Sequence, residues 1–168
     1  MRIYVPATIA MLRTLVTDRE FVPINGTAFA VTPALREAYS SGDDDELAEV
    51  AMAEAARASL RLLAAELEDD PAGVVHRRAV VAADVDDVKL RPDLDDSVVR
   101  VQGPITFAQV ASAHVDLAEA ESVIEKAIGV VDQADLGDVD AEFVVGDAED
   151  HELAWYATQE LSFLVELL

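Results

Sequence analysis

"RRAVVAADV", residues 77–85, is the stretch on which the architecture turns. After two arginines it is apolar at consecutive positions and lacks the alternation of a half-exposed strand. Such a run reads as a strand covered on both faces, near the centre of a sheet. The elements on either side should therefore include helices that supply the cover.

Before it, "RIYVPA" reads as a first strand, and Thr8 is placed to cap a helix over residues 9–17, with Ile9, Leu12, Leu15 and Val16 on one apolar side. "TAFAVT" (27–32) is a second strand, and Thr32-Pro33 is a hydroxyl cap followed by proline at the first helical position, so that "PALREAY" is helical. The strongest helix is predicted over residues 43–67, where acids crowd the first turn and Leu47, Ala51, Ala55, Ala58 and Leu62 share helical spacing. Its many alanines predict close approach to a neighbour.

After the central run, "DDVKLRPDLDD" reads as a polar loop and "SVVRVQGPI" (97–105) as a lateral strand. "TFAQVAS" reads as a short helix, "AHVDL" as a fifth strand and residues 119–131 as an amphipathic helix. The acidic stretch 132–142 reads as a loop, with "EFVV" as a short edge strand, and a long helix is expected from Asp147 to the end. The predicted fold is a single α/β domain over residues 1–168, a mixed sheet of about five strands flanked by helices, with a long C-terminal helix.

Charge narrows the function. With 34 acids against 12 bases the net charge is -22. Phosphate backbones and anionic membranes are repelled, which argues against nucleic acid and membrane as partners. A basic protein partner, a cation or plain solubility fits better, and solubility is the simplest reading of so acidic a surface. The chain has no cysteine, so disulfides, thiolate metal sites and cysteine nucleophiles are excluded. "MRIYVPATIAMLRTLV" is broken by Pro6 and Arg13 and reads as strand and helix rather than a secretory leader, which makes the cytoplasm the expected compartment. No G-x-G-x-x-G, G-x-x-x-x-G-K-[ST] or G-x-S-x-G motif occurs, and no cofactor is implied.

Candidate site residues come from histidines and carboxylates. His76 stands in the basic cluster with Arg77 and Arg78, which could receive an anion but is expected to meet acids of the same protein. His114 and Asp116, in "HVD", would share one face of a strand, as a hydrogen-bonded histidine, as a base with its orienting carboxylate, or as weak metal ligands. Asp138, Asp140 and Glu142, with Glu149, match part of a calcium loop, but Phe143 occupies the place that needs glycine. "HELAW" begins like the zinc motif H-E-x-x-H, yet Trp155 stands where the second histidine belongs. On a helix capped by Asp147, residues His151, Trp155 and Gln159 would form one face suited to a partner.

"TAFAVTPALREAY" (27–39), "AVVAADV" (79–85) and "AEDHELAWYATQEL" (148–161) together resemble a family of small uncharacterised actinobacterial proteins, a domain of unknown function. The resemblance spans most of the chain. It implies a bacterial cytosolic protein and no activity, cofactor or catalytic residue. The expected function is a non-enzymatic interaction or accessory module acting through the C-terminal helix face. The alternative is an unrecognised, metal-assisted enzyme using His151 or His114 with neighbouring carboxylates. The enzyme reading gains if the two histidines lie within about 5 Å of each other and of a carboxylate in a concave pocket, and the partner reading if they lie far apart with Trp155 in an exposed apolar patch.

Overall fold

The computed structural model describes residues 1–168. With strands numbered in chain order, β4 (Ala79–Asp84) is the predicted central strand, and its first five residues are buried. β1 (Arg2–Ala7) pairs with it antiparallel along its whole length, from Arg2 opposite Asp84 to Ala7 opposite Ala79. On the other side lie β8 (Val110–Val115) and then β9 (Ala154–Ala157). Beyond β1 come β3 (Thr27–Phe29), β6 (Val98–Val101) and β5 (Val88–Leu90). The order is β5-β6-β3-β1-β4-β8-β9, with every neighbouring pair antiparallel. β2 (Glu20–Phe21) and β7 (Ile105–Thr106) form a separate ribbon.

The expected mixed sheet of about five strands is thereby corrected to seven antiparallel strands plus a two-stranded ribbon. The physical reason is local. Continuous apolarity in β4 follows from cover on both faces, which an antiparallel sheet also provides when helices pack on each side. β5 was hidden in a stretch read as polar loop, since Lys89 and Leu90 are exposed on an edge.

One face is covered by α1 (Ile9–Asp18) and α7 (Leu161–Leu167). Ile9, Leu12, Leu15, Leu161 and Leu164 pack there on Ile3, Val5, Val81, Ala113 and Val115, with Phe21 and Ile105 of the ribbon closing one side. Thr8 caps α1 as expected, its hydroxyl accepting from the Met11 N–H. Thr32 does the same for α2 (Pro33–Ala38). The opposite face carries α3 (Asp44–Asp69), capped by Asp43 and acidic in its first turn. α3 presents Ala51, Ala55 and Ala56 to Phe29, Val80 and Val98, the close approach that its alanines predict.

Ser59 fixes that approach. Its Oγ donates to the Ala7 carbonyl at 2.7 Å and accepts from the Ala79 N–H at 3.1 Å, so α3 is bonded to both central strands where they end. Farther along, Leu60 and Leu63 enter a third apolar cluster with α4 (Glu121–Ile128), α5 (Val131–Asp135) and α6 (Val139–Glu149). These elements correct the reading of residues 132–142 as an acidic loop: Asp138 caps α6, and Asp140 and Glu142 lie in its first turn, where the helix dipole favours acids.

The long C-terminal helix is also corrected. α6 ends at Glu149, residues 154–157 form β9, and helix resumes only at Leu161. What holds the intervening chain to the sheet is a buried ion pair. Arg78 and Asp116 are almost fully enclosed. The Asp116 carboxylate accepts from Arg78 Nε, Nη2 and backbone N at 2.9, 2.8 and 2.8 Å, and Asp116 N donates back to the Arg78 carbonyl at 3.1 Å. Arg78 Nη2 also donates to the His151 carbonyl at 2.8 Å, which anchors the turn into β9. Arg77 pairs with Glu121, so both arginines of the basic cluster meet the protein's own acids, as expected.

Two substitutions test these fastenings by urea unfolding. Asp116→Ala strands a buried guanidinium and is expected to cost about 3–5 kcal/mol. Ser59→Ala leaves the Ala79 N–H and the Ala7 carbonyl without their partner and is expected to cost about 1–3 kcal/mol.

Candidate functional site

Between α3 and the β4-β8-β9 side of the sheet the two layers do not close on each other, and a cleft of about 1080 Å³ opens. Arg2, Tyr4, Ala82, Ser112, His114 and Trp155 come from the sheet, Glu49, Met52, Glu54, Arg57 and Arg61 from α3, Glu149 from the end of α6, and His151, Glu152 and Leu153 from the turn into β9.

The sheet residues reach one face through register. Tyr4 stands opposite Ala82, Ala82 opposite Ser112, and His114 lies between Val80 and Trp155 on its two neighbours. A bulge falls between Ala82 and Ala83, where the β8 partner jumps from Ser112 to Val110. The extra residue, Ala111, lets Val110, Ala113 and Val115 all join the core under α1 and α7, while Ser112 and His114 face the cleft. Ser112 Oγ and His114 Nε2 are 3.1 Å apart, so His114 is the hydrogen-bonded strand histidine that its position predicts. Burial first, and the charge of Arg2 second, hold the His114 imidazole below its ordinary pKa.

The α3 side is a charge hub. Arg57 donates to Asp135, Glu142 and Glu149, each at 3.1 Å, and Arg61 binds Asp135 at 2.8 Å. Burial works against the Arg57 charge, but Glu142, Asp135 and Glu149 outweigh it and hold the guanidinium above its usual value. Hydrogen bonding from Arg61 chiefly holds the Asp135 carboxyl below its own range. Arg2 is engaged by Asp84 through Nε at 2.7 Å and Nη2 at 3.0 Å. Glu54 differs from these acids. It forms no ion pair, and burial raises its pKa, helped by the negative charges of Asp95 and Glu149. Burial likewise raises Tyr4.

His151, Trp155 and Gln159 do not form a helix face. Trp155 is on β9 and lines the cleft, His151 reaches the rim through the turn, and Gln159 is exposed on a short turn after β9, outside the cleft. Leu153, Ala157, Leu161 and Leu164 fall at helical spacing, yet the chain between them runs across turn, strand and helix. His114 and His151 do line one concave surface with Trp155. Asp116 does not share it with His114, since its carboxylate is held by Arg78. Asp138 is a helix cap and Asp140 lies within α6, so the partial calcium pattern falls on a helix. No group of three or more His, Asp or Glu side chains gathers in a metal-holding arrangement.

Ser112, Tyr4, Arg2, Glu54 and Arg57 were not singled out in the sequence. One signal was available: Ser112 stands two positions before His114, the spacing that puts strand residues on one face. Reading residues 106–112 as a helix concealed it.

Fold and cleft together define an antiparallel α/β protein with a polar, aromatic-lined pocket between its sheet and its longest helix. The chain belongs to a family of unknown function (DUF6912), whose model matches residues 1–165. No curated protein and no solved structure matches it. No helix is long and apolar enough to cross a membrane.

The cleft makes one pH dependence specific. The folded protein favours neutral His114, so the unfolded chain takes up the proton first as pH falls through about 6.5. The stabilisation from His114 is fully present above that pH and is lost as pH falls towards its lowered folded pKa. Urea midpoints at about pH 7.5 and about pH 5.5 are expected to drop less for His114→Gln than for the unsubstituted chain; equal drops contradict the assignment.

Proposed function

We propose that the protein binds a small organic cation in this cleft. One observation carries the reading. Each of the four arginines lining the cleft is already ion-paired, whereas Glu49, Glu54 and Glu152 form no ion pair. An anion would have to compete with the carboxylates that hold the arginines, while a cation finds unengaged acceptors. Trp155, 61% exposed, and Tyr4 line the cleft, and aromatic rings attract cations. The cleft is also of the size that encloses a small molecule.

The net charge of -22 supports the same preference and weighs against nucleic acid and anionic membranes as partners. The absence of cysteine is in keeping with a cytoplasmic location. A second reading, a protein partner, is favoured by the exposure of Trp155 on edge strand β9, whose outer side has no strand beside it. A lysine or arginine side chain of such a partner would bring the same cation to the cleft.

Calorimetric titration with primary amines, guanidinium compounds and quaternary ammonium compounds, against carboxylates and phosphates at matched ionic strength, tests the proposal. The cations are expected to bind, with affinity falling about tenfold or more in Glu54→Gln and in Trp155→Ala. Preferential binding of the anions, or cation binding indifferent to both substitutions, refutes it.

A further inference from the structure

We propose that Ser112 and His114 form a nucleophile–base pair and that the cleft carries out acyl transfer from an ester to water. This goes beyond the binding reading, because it assigns chemistry to the cleft floor and does not depend on the charge of the ligand.

The geometry is that of an activated hydroxyl. Ser112 Oγ lies 3.1 Å from His114 Nε2, within the range over which imidazole takes a serine proton. The two residues stand at i and i+2 on β8, so the strand itself fixes their separation. β8 is paired on both sides, with β4 and with β9, and His114 is flanked by Val80 and Trp155 in the two pairings. Ser112 is 6% exposed and lines the cleft, so it sits at the bottom, where a bound carbonyl could approach it from one side. The bulge next to Ser112 is the kind of irregularity that re-aims side chains beside active sites.

In the tautomer protonated on Nδ1, Nε2 accepts the Ser112 hydroxyl. The low basicity imposed by burial and by Arg2 keeps this imidazole neutral and available at neutral pH. As Ser112 Oγ bonds to the ester carbon, its proton passes to Nε2 and the carbonyl electrons move onto oxygen. Collapse of that oxyanion breaks the bond to the leaving alcohol, which takes the proton from Nε2. Water then attacks the acyl-serine while His114 accepts its proton, and collapse of the second oxyanion returns that proton to Ser112 as the carboxylic acid leaves. No carboxylate bonds to His114, so the assembly is a dyad rather than a triad.

The full chain, treated with a fluorophosphonate probe and digested for peptide mass spectrometry, tests this. The expected result is a phosphonyl adduct on Ser112, abolished in Ser112→Ala and slowed at least about tenfold in His114→Gln. No adduct, an adduct on another residue, or labelling undiminished in His114→Gln overturns the proposal. Adduct mapping on the unsubstituted chain decides the matter even if a variant fails to fold. Amine binding without labelling overturns the chemistry and leaves the binding reading standing, whereas labelling of Ser112 supports the chemistry whatever the cations do.

Discussion

The Arg78–Asp116 pair is the constraint on which the site depends. It joins the start of β4 to the end of β8 and, through the His151 carbonyl, fastens the turn that leads into β9. Two buried charges cost desolvation, and the pair compensates because every carboxylate oxygen faces a guanidinium or backbone donor. An apolar pair of similar volume could fill the same space. It could not reach the carbonyl of residue 151, and the strand that brings Trp155 beside His114 would lose its anchor. The interaction therefore specifies position more than it supplies stability.

From that anchor the molecule divides its two faces unequally. Under α1 and α7 the side chains are branched and the layers close completely. Under α3 the contact is made by alanines over part of the sheet, and the rest is left open. Ser59 fixes the middle of the helix to the sheet, and Arg57 and Arg61 on either side of it in sequence join it to α5 and α6. A rigid floor between two fastened walls suits a site whose groups must be in place before a ligand arrives.

Much of this was legible from residue order alone, and the parts that were not have physical causes. β4 could be recognised because a short run of consecutive Ala and Val, rich in β-branched residues, fits a strand covered on both faces. α3 could be recognised because its cap, first-turn acids and alanine spacing agree. β9 could not: a four-residue strand of Ala154-Trp155-Tyr156-Ala157 carries too few positions to show a period, and chance spacing of apolar residues on either side imitated a helix. α6 was missed because Asp138 and Asp140, which stabilise its start, also look like loop residues. His114, His151 and Trp155 were noticed as chemistry-bearing groups, but their gathering depends on β8–β9 register, which is set by long-range pairing. Ser112 was lost with the start of β8, since the bulge at Ala111 breaks the alternation that would have revealed the strand.

The alanine face of α3 has a consequence for how such a cleft can vary. The depth of the opening is set by how near the helix backbone rides to the sheet, and that distance is governed by the bulk at positions 51, 55 and 56. None of these residues supplies a polar group to the floor. Changes of a methyl or two along this stripe would raise or lower the roof while leaving Ser112 and His114, which lie outside that apolar cluster, where they are. Ligand size and floor chemistry are in this way encoded by separate parts of the chain, one on a helix and the other on strands.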